Sequence, residues 1–184
     1  MRVIAGKARR LPLKTIEGLD TRPTTDRIKE TLFNILQNDL YDIRFLDIFS
    51  GSGAIAIEAL SRGAEEAVLI ENDREALGVI RDNLKSARVS HLAEVLGDDF
   101  NSALNRLGRQ NRRFDLVFMD PPYNCDLEKR VIFHPSFSQI VADEGLVVVE
   151  AALETDFSWT KGSAFEITRT KIYKTNKHVF LRKK

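Results

Sequence analysis

From residue 44 onward, short apolar runs alternate with stretches of helical periodicity, and this alternation constrains the fold more than any other feature of the chain. The apolar runs are RFLDIF (44–49), EAVLIE (66–71), AEVLGD (93–98), FDLVFMD (114–120) and GLVVVEA (145–151). Helical patterns separate them, and the last such pattern covers residues 127–142. Strands that alternate with helices form parallel sheets joined by right-handed crossovers. The sequence therefore predicts an α/β fold with one doubly wound sheet and helices on both faces.

The two ends of the chain depart from this pattern. The runs AFEITRTKIYK and KHVFLRKK have no helix-length segment between them, which predicts an antiparallel hairpin turning near Thr175 and Asn176 at one sheet edge. The segment VIAGKARRLPLKT has modest β-character and predicts a small hairpin or arm. In RPTTDRIKETLFNIL, apolar residues from Ile28 to Leu36 share one face and predict a helix.

Length and composition limit the number of domains. The chain has 184 residues, of which 43% are hydrophobic, enough for one sizeable core and too few for two full domains. We expect an N-terminal arm and helix (residues 1–43) packed on one globular unit (residues 44–184). No surface pattern of apolar residues indicates more than a monomer.

The cysteine and hydropathy patterns exclude several classes of protein. Cys125 is the single cysteine, so the chain has no intrachain disulfide and no cysteine cluster for a metal. The first residues are too charged for a signal peptide, and no run of about 18 apolar residues can span a bilayer. We expect a soluble, cytoplasmic protein without a metal or a membrane partner.

Charge is concentrated at the ends, although the net charge is only +1. Residues 1–14 carry five basic and no acidic side chains, and residues 161–184 carry eight basic and one acidic. Basic arms often bind nucleic-acid phosphates, and a solvated end is the alternative. We expect Arg9 and Arg10 of the arm to contact nucleic acid. We expect Arg22 and Thr24 to contact nucleic acid as well, at the border of the ligand cleft; the alternative is that they only precede a packing helix.

The segment LDIFSGSGAIAIEAL, residues 46–60, predicts a strand, a glycine turn and a helix. Gly51 and Gly53 permit positive φ and a close approach of a ligand to the backbone, while Ala56 takes the place of a third glycine. Glu71 ends the next strand 20 residues beyond Gly51, where a carboxylate can accept both ribose hydroxyls of an adenosine. This pattern suits a nicotinamide dinucleotide or S-adenosylmethionine, and a plain tight turn is the structural alternative.

Asp47 favours S-adenosylmethionine. It precedes the glycines, where a carboxylate would repel a pyrophosphate but could accept a hydrogen bond from an ammonium group. After the third strand, either Asp98 or Asp99 can accept from the adenine amine, or both only cap the next helix.

The segment FDLVFMDPPY, residues 114–123, points to chemistry on an amine. Pro121 and Pro122 lack an N–H for the sheet and must end the strand, which leaves Asp120 and Tyr123 at the mouth of the sheet. The Asp120 carboxylate and the Pro121 carbonyl could hold the two protons of an exocyclic amine and turn its lone pair toward a methyl donor. Tyr123 could stack on the base, worth roughly 1–3 kcal/mol.

Other reactive side chains have simpler interpretations. Cys125 would suit carbon methylation as a nucleophile, but we interpret it as a packing or bystander residue. His91, His134 and His178 are separated in sequence from one another and from acidic partners. We expect surface or core roles for them.

Together these motifs resemble the amino-methylating class of S-adenosylmethionine-dependent methyltransferases. RPTTDRIKETLFNIL (22–36), LDIFSGSGAIAIEALSRGA (46–64) and DLVFMDPPY (115–123) resemble more specifically the RsmD family, which methylates the N2 amine of one guanine in bacterial small-subunit ribosomal RNA. The resemblance implies a Rossmann-like class I methyltransferase sheet. Many family members have Phe where Tyr123 stands.

The resemblance also implies roles for residues. The cofactor site would be formed by Asp47, Phe49, Gly51, Ser52, Gly53, Glu71, Asn72 and Asp98. The target base would be held by Asp120, Pro121, Pro122 and Tyr123. The implied cofactor is S-adenosyl-L-methionine, and the implied partner is 16S ribosomal RNA within a small-subunit particle.

The sequence leaves three alternatives open. A DNA adenine-N6 methyltransferase would use the same Asp-Pro-Pro-Tyr motif, but only about 40 residues lie outside the core to recognise a DNA target. The others are a nucleic-acid-binding module without catalysis and a nicotinamide enzyme.

Overall fold

One twisted sheet forms the centre of the molecule. The computed structural model describes residues 1–16, 26–37, 40–123 and 125–184. Within these residues the strands are β1 (Arg44–Ile48), β2 (Glu66–Ile70), β3 (Ala93–Leu96), β4 (Phe114–Met119), β5 (Val141–Ala152), β6 (Phe165–Ile172) and β7 (Asn176–Lys183). Their order is β3-β2-β1-β4-β5-β7-β6. Strands β1 to β5 are parallel, and β7 runs antiparallel between β5 and β6. The α/β sheet and its C-terminal hairpin are therefore confirmed.

Helices cover both faces of the sheet. They are α1 (Asp26–Ile35), α2 (Ala54–Arg62), α3 (Arg74–Ser86), α4 (Phe100–Arg109), α5 (Leu127–Ile132) and α6 (Phe137–Ile140). One apolar cluster joins the arm, α1, α2 and α3 to one face, and a second joins α4, α5 and α6 to the other. Each core aliphatic or Phe side chain contributes about 1.5–3 kcal/mol by leaving water. Among the helices of the described residues, none has both the length and the apolarity required to cross a membrane.

The helix predicted over residues 127–142 is wrong in extent. Two short helices replace it, and they end and begin on either side of Pro135. Pro135 has no N–H to donate and cannot continue α5. At Val141 the chain already belongs to β5, where it pairs with Phe114 of β4.

The first residues form a small hairpin against α2. The Val3 amide donates to the Leu11 carbonyl at 2.9 Å, and an isolated antiparallel bridge joins Arg2 to Pro12. The Glu58 carboxylate of α2 accepts from the backbone N–H groups of Ile4 at 2.7 Å and Ala5 at 3.0 Å. The hairpin is thereby held to the helix that follows the glycine loop.

Candidate active site

The glycine loop lies at the carboxyl end of β1. Phe49, Gly51 and Gly53 have positive φ values of 67°, 54° and 75°. A Cβ at Gly53 would lie 3.1 Å from the Leu69 side chain, whereas a Cβ at Gly51 would have no heavy atom of the described residues within 4 Å. Gly53 is thus required for packing at the start of α2, and Gly51 faces open space where a ligand can approach the backbone.

Glu71 holds this loop from the end of β2. Its Oε2 accepts from the Gly51 amide at 2.8 Å, and its Oε1 accepts from the amides of Asn72 at 2.8 Å and Asp73 at 2.9 Å. A carboxylate has about four acceptor sites, so these three bonds leave capacity for a hydroxyl group. Ser52 lies in the same loop, and its carbonyl accepts from the Asn83 side-chain amide at 2.9 Å.

Asp47 is a buried carboxyl group with an unused acceptor. Its side chain is 1% exposed, and Oδ2 has no hydrogen-bond partner among the described residues. Burial, with a contribution from the charge of Glu71, raises the pKa of Asp47 to about 7, although a backbone hydrogen bond from Ala56 opposes the rise. A buried acceptor without a donor is rare and marks a position suited to a ligand N–H. The site fits an ammonium group in this respect.

The end of β3 separates the roles of the two neighbouring aspartates. Asp99 caps α4, since its Oδ1 accepts from the amides of Asn101 at 3.0 Å and Ser102 at 3.2 Å. Its Oδ2 accepts from the Ser102 hydroxyl at 2.7 Å, and these bonds hold the pKa of Asp99 below its usual value. Asp98 is exposed beside it. An adenine contact therefore remains a prediction for Asp98, because Asp99 is used as a helix cap.

An aromatic pair borders the same region. The half-buried ring of Phe49 packs on Phe100, the first residue of α4, with ring centroids 5.7 Å apart. This pair lies between the ends of β1 and β3. It gives the predicted cofactor region an apolar wall.

Asp120 follows β4 on the same side of the sheet as Asp47. In the β1–β4 register Asp47 is opposite Phe118, and Asp120 lies two residues beyond Phe118. Loss of solvation raises the pKa of Asp120 well above its usual value, and the charges of Glu150 and Asp47 raise it further. The pairing of β1 with β4 thus brings the two predicted aspartates together at the carboxyl ends of the parallel strands.

The rest of the Asp-Pro-Pro-Tyr motif follows directly. Pro121 is buried, Pro122 is exposed and Tyr123 is half-buried. The strand ends at Met119, as the two proline rings require. The tyrosine ring is therefore held near the sheet edge while part of it stays accessible.

A hydrogen-bonded cluster next to Asp120 was not predicted from the sequence. Glu150 of β5 is 3% exposed, and its Oε2 is 3.0 Å from Nε2 of His178, which is 0% exposed. The Tyr173 hydroxyl lies 3.1 Å from Nδ1 of the same ring. His178 thus lies in the core, one of the two roles expected for it, and its acidic partner is distant in sequence because β7 returns antiparallel to β5 and places residue 178 opposite residue 150.

The same carboxylate binds two further donors. Oε1 of Glu150 accepts from Nδ2 of Asn176 and, at 3.4 Å, from the Tyr123 hydroxyl. Burial, followed by the charge of Glu150, raises the pKa of Tyr123. The sequences of β5 and β7 show no apolar/polar alternation that would fix their register, so no sequence signal indicated this cluster.

The other singled-out residues lie elsewhere. His134 is nearly buried, with Nε2 3.0 Å from Oδ1 of Asn101, and His91 is exposed. Cys125 is exposed. These positions agree with the simple roles expected for the three residues.

Arg9 and Arg10, which were predicted to contact nucleic acid, belong to the N-terminal hairpin. Arg9 and Arg10 line a cleft of about 500 Å³ together with Arg2, Asp26 and Arg27. None of the residues described above at the carboxyl ends of the strands lines this cleft. Arg22 and Thr24 lie outside the described residues.

The family was tested by comparison with known proteins. A family model described as conserved hypothetical protein 95 matches residues 1–182. The chain belongs to the RsmD family. This confirms the family expected from the sequence.

Relatives in the RsmD family extend along most of the chain. The Bacillus subtilis (strain 168) protein YlbH is 35% identical over 173 residues, which is 94% of this chain and 94% of that protein. Ribosomal RNA small subunit methyltransferase D of Escherichia coli (strain K12) is 38% identical over 156 residues, 84% of this chain and 76% of the relative.

A solved structure supports the same placement. The structure of yhhF from Escherichia coli superposes with a TM-score of 0.84 at 33% identity, covering 100% of this chain and 98% of that one. The fold of this RsmD-family chain is thus the Rossmann-like class I methyltransferase fold.

Proposed function

We propose that this protein is an rRNA methyltransferase that transfers a methyl group from S-adenosyl-L-methionine to the exocyclic N2 amine of a guanine in 16S rRNA. The observation that carries the proposal is the pairing of β1 with β4, which brings the buried, unpartnered Oδ2 of Asp47 and the Asp-Pro-Pro-Tyr motif that begins at Asp120 to the same carboxyl edge of the sheet. The named Escherichia coli relative supports rRNA as the substrate class.

The cofactor would bind along the ends of β1, β2 and β3. Asp47 Oδ2 would accept from the ammonium group, because that oxygen is buried and lacks a donor among the described residues. Gly51 and Ser52 would border the cofactor, and Phe49 would contribute its ring. When bound, S-adenosylmethionine supplies a methyl group on a sulfonium, which is an excellent leaving group.

The adenosine part would lie farther along the same edge. Glu71 would accept from the ribose with the acceptor capacity that its three backbone bonds leave. Asn72 would flank the ribose beside Glu71, and Asp98 would face the adenine. Gly53 would contribute through the close packing that starts α2.

The Asp-Pro-Pro-Tyr motif would orient the target amine. Its lone pair is delocalised into the base and is a poor nucleophile until it is turned out of the ring plane. The Asp120 carboxylate and the Pro121 carbonyl would accept the two amine protons, and Tyr123 would stack on the base with Pro122 fixing the turn. Positioning of this kind is worth roughly 7–11 kcal/mol for well-oriented reactants. Asp120 would then take the proton that the amine loses, a role suited to its raised pKa.

RNA would be bound by the N-terminal arm. Arg9 and Arg10 are exposed in the cleft they share with Arg2 and Arg27, where phosphates can replace water. In this division, residues 44–184 form the methyltransferase unit and residues 1–43 add the RNA contact, with Arg22 and Thr24 near the target. A small-subunit particle would present the base to a monomer of this size.

The test is transfer of labelled methyl from S-adenosylmethionine to small-subunit particles, naked rRNA and DNA, followed by nucleoside mass analysis. We expect N2-methylguanosine from particles or rRNA. Methyladenine in DNA would contradict the proposed rRNA substrate but would still agree with the proposed roles of the Asp-Pro-Pro-Tyr residues.

The catalytic role of Asp120 is tested separately. Asp120→Ala should abolish turnover while S-adenosylhomocysteine still binds. Asp143→Ala, on an exposed side chain paired with Lys183 at the surface, is the matched control and should keep full activity. Retained activity in Asp120→Ala would contradict the assignment.

A further inference from the structure

Hydrogen-bond contacts of Tyr123, Asn176 and His178 converge on the carboxylate of Glu150. The 3.0 Å contact between Nε2 of His178 and Oε2 of Glu150 fits the tautomer that carries a proton on Nε2, since a carboxylate oxygen accepts. Nδ1 is then an acceptor, and the Tyr173 hydroxyl donates to it at 3.1 Å. The Tyr173 and His178 rings meet edge to face with centroids 4.9 Å apart. The hydroxyl contact and the ring packing of Tyr173 therefore orient the His178 ring.

The other oxygen of Glu150 points to the base-binding motif. Oε1 accepts from Nδ2 of Asn176, which is 4% exposed, and from the Tyr123 hydroxyl at 3.4 Å. Oδ1 of Asn176 is the second buried side-chain oxygen without a partner in the described residues, after Asp47 Oδ2. Asn176 pairs with Ala152 at the carboxyl end of β5. The two unpartnered oxygens thus lie at the same sheet edge, on strands to either side of β4.

We propose that Glu150 is a positioning residue of the base-binding site, which holds the Tyr123 ring and faces Asp120 as a buried carboxylate, with Asn176, His178 and Tyr173 holding Glu150 in place. The inference deepens the proposed function and depends on it for the identity of the base. It assigns a role to four residues outside the Asp-Pro-Pro-Tyr motif.

A second consequence concerns the proton of the amine. In the reaction the nitrogen–methyl bond forms, the sulfur–methyl bond breaks, and the nitrogen releases one proton to the Asp120 carboxylate. Asp120 and Glu150 each follow one member of the Met119–Val149 pair of β4 and β5, so the two carboxyl groups lie side by side at the end of these strands. Asp47 of β1 pairs with Phe118, two residues before Asp120, and Tyr123 follows Asp120 in its own loop. The charges of Glu150 and Asp47 both raise the pKa of Asp120, while His178 and Tyr173 lie behind Glu150. The negative charge of Glu150 raises the pKa of Asp120, because two neighbouring carboxylates repel each other. Asp120 is therefore a better proton acceptor when Glu150 lies beside it.

The experiment compares wild type with Glu150→Gln, which removes the charge and nearly preserves the shape. The matched control is Glu144→Gln, an exposed glutamate on the same strand. The titration midpoint of the Asp120 carboxyl carbon is followed by ¹³C NMR without nucleic acid. We expect the midpoint to fall to lower pH in Glu150→Gln and to stay at the wild-type value in Glu144→Gln.

Activity gives the second readout. Glu150→Gln should lower kcat for rRNA about tenfold or more, because small misplacements of a reacting group cost up to about a hundredfold. Its affinity for S-adenosylhomocysteine should be unchanged. Tyr173→Phe, which removes only the hydroxyl group that orients His178, should lower kcat in the same direction by a smaller factor.

An unchanged Asp120 midpoint in Glu150→Gln would overturn the inference, whatever the activity. Wild-type protein that methylates neither rRNA nor DNA, together with the lowered midpoint, would contradict the proposed function and support the role of Glu150. The NMR measurement needs no substrate, so the two failures are distinguishable.

Discussion

At the scale of single residues, Asp47 shows how a ligand site opposes stability. Burial of this carboxyl group is costly, and its Oδ2 has no donor among the described residues. The pKa of about 7 means that Asp47 keeps its proton in the folded protein at pH values where the unfolded chain has lost it. The contribution of Asp47 to the free energy of unfolding is therefore fully present below about pH 4 and is lost as the pH rises to about 7.

We predict that Asp47→Asn stabilises the ligand-free protein above pH 7. The neutral amide removes a penalty of up to about 4 kcal/mol, and the difference from wild type should shrink toward zero near pH 4. Denaturant unfolding at pH 4, 6 and 8 measures it, and S-adenosylhomocysteine binding should weaken in the same variant. A stability difference that does not change with pH would show that the charge of Asp47 is not its cause.

At the scale of elements, one buried ion pair joins the arm, α1 and α2. Lys29 of α1 and Glu58 of α2 are both 0% exposed, with Nζ 3.4 Å from Oε2. Lys29 also donates to the Arg2 carbonyl at 2.5 Å, and Arg62 donates to Glu58 at 2.7 Å. Since α2 begins at the glycine loop, this pair connects the arm to the predicted cofactor site.

Lys29→Ala should lower the free energy of unfolding by about 3–5 kcal/mol, because it leaves part of a buried charge uncompensated. Asn34→Ala on the exposed face of α1 is the control and should change it by less than about 0.5 kcal/mol. Urea denaturation of both variants gives the measurement. Equal stabilities would show that the pair contributes little.

The arm has a second expected role, in RNA binding. Replacing Arg9 and Arg10 together with Gln should weaken rRNA binding and reduce the slope of log K against log salt by about 1.4, or about 0.7 for each lost phosphate contact on a single strand. Arg109→Gln, exposed at the end of α4, should leave the slope unchanged. Binding is measured by filter retention at several salt concentrations. A wild-type slope in the double variant would remove these residues from the RNA surface.

At the scale of the whole molecule, parallel strands bring residues far apart in sequence to one edge. Asp47, Glu71, Asp98 and Asp120 lie at or just beyond the carboxyl ends of four different strands. A ligand that touches them therefore stabilises the entire sheet. S-adenosylhomocysteine at 100 times its Kd should stabilise the fold by about 2.7 kcal/mol, and NAD should give no shift. Differential scanning fluorimetry tests this. Stabilisation by NAD alone would overturn the cofactor assignment.

The strand and helix pattern alone was sufficient for the α/β class and the terminal hairpin. Period-two and period-3.6 patterns report which faces are buried, and Gly51, Gly53, Pro121 and Pro122 mark where strands must end. Hydrophobic periodicity and the positions of glycine and proline depend only on residues that are close in sequence. The strands and helices could therefore be predicted before any contact was known. The helix predicted over residues 127–142 was wrong in extent because Pro135 interrupts it.

Only the tertiary structure decided how distant groups pair. The contact of Glu150 with His178 depends on the register of two antiparallel strands, and a shift of one residue would point both side chains to the other face. The capping of α4 by Asp99 and the unpartnered oxygen of Asp47 likewise depend on backbone geometry and burial. The amino-acid sequence determined which chemical groups lie at the end of each strand. Tertiary packing determined which of these groups are buried and in contact with one another.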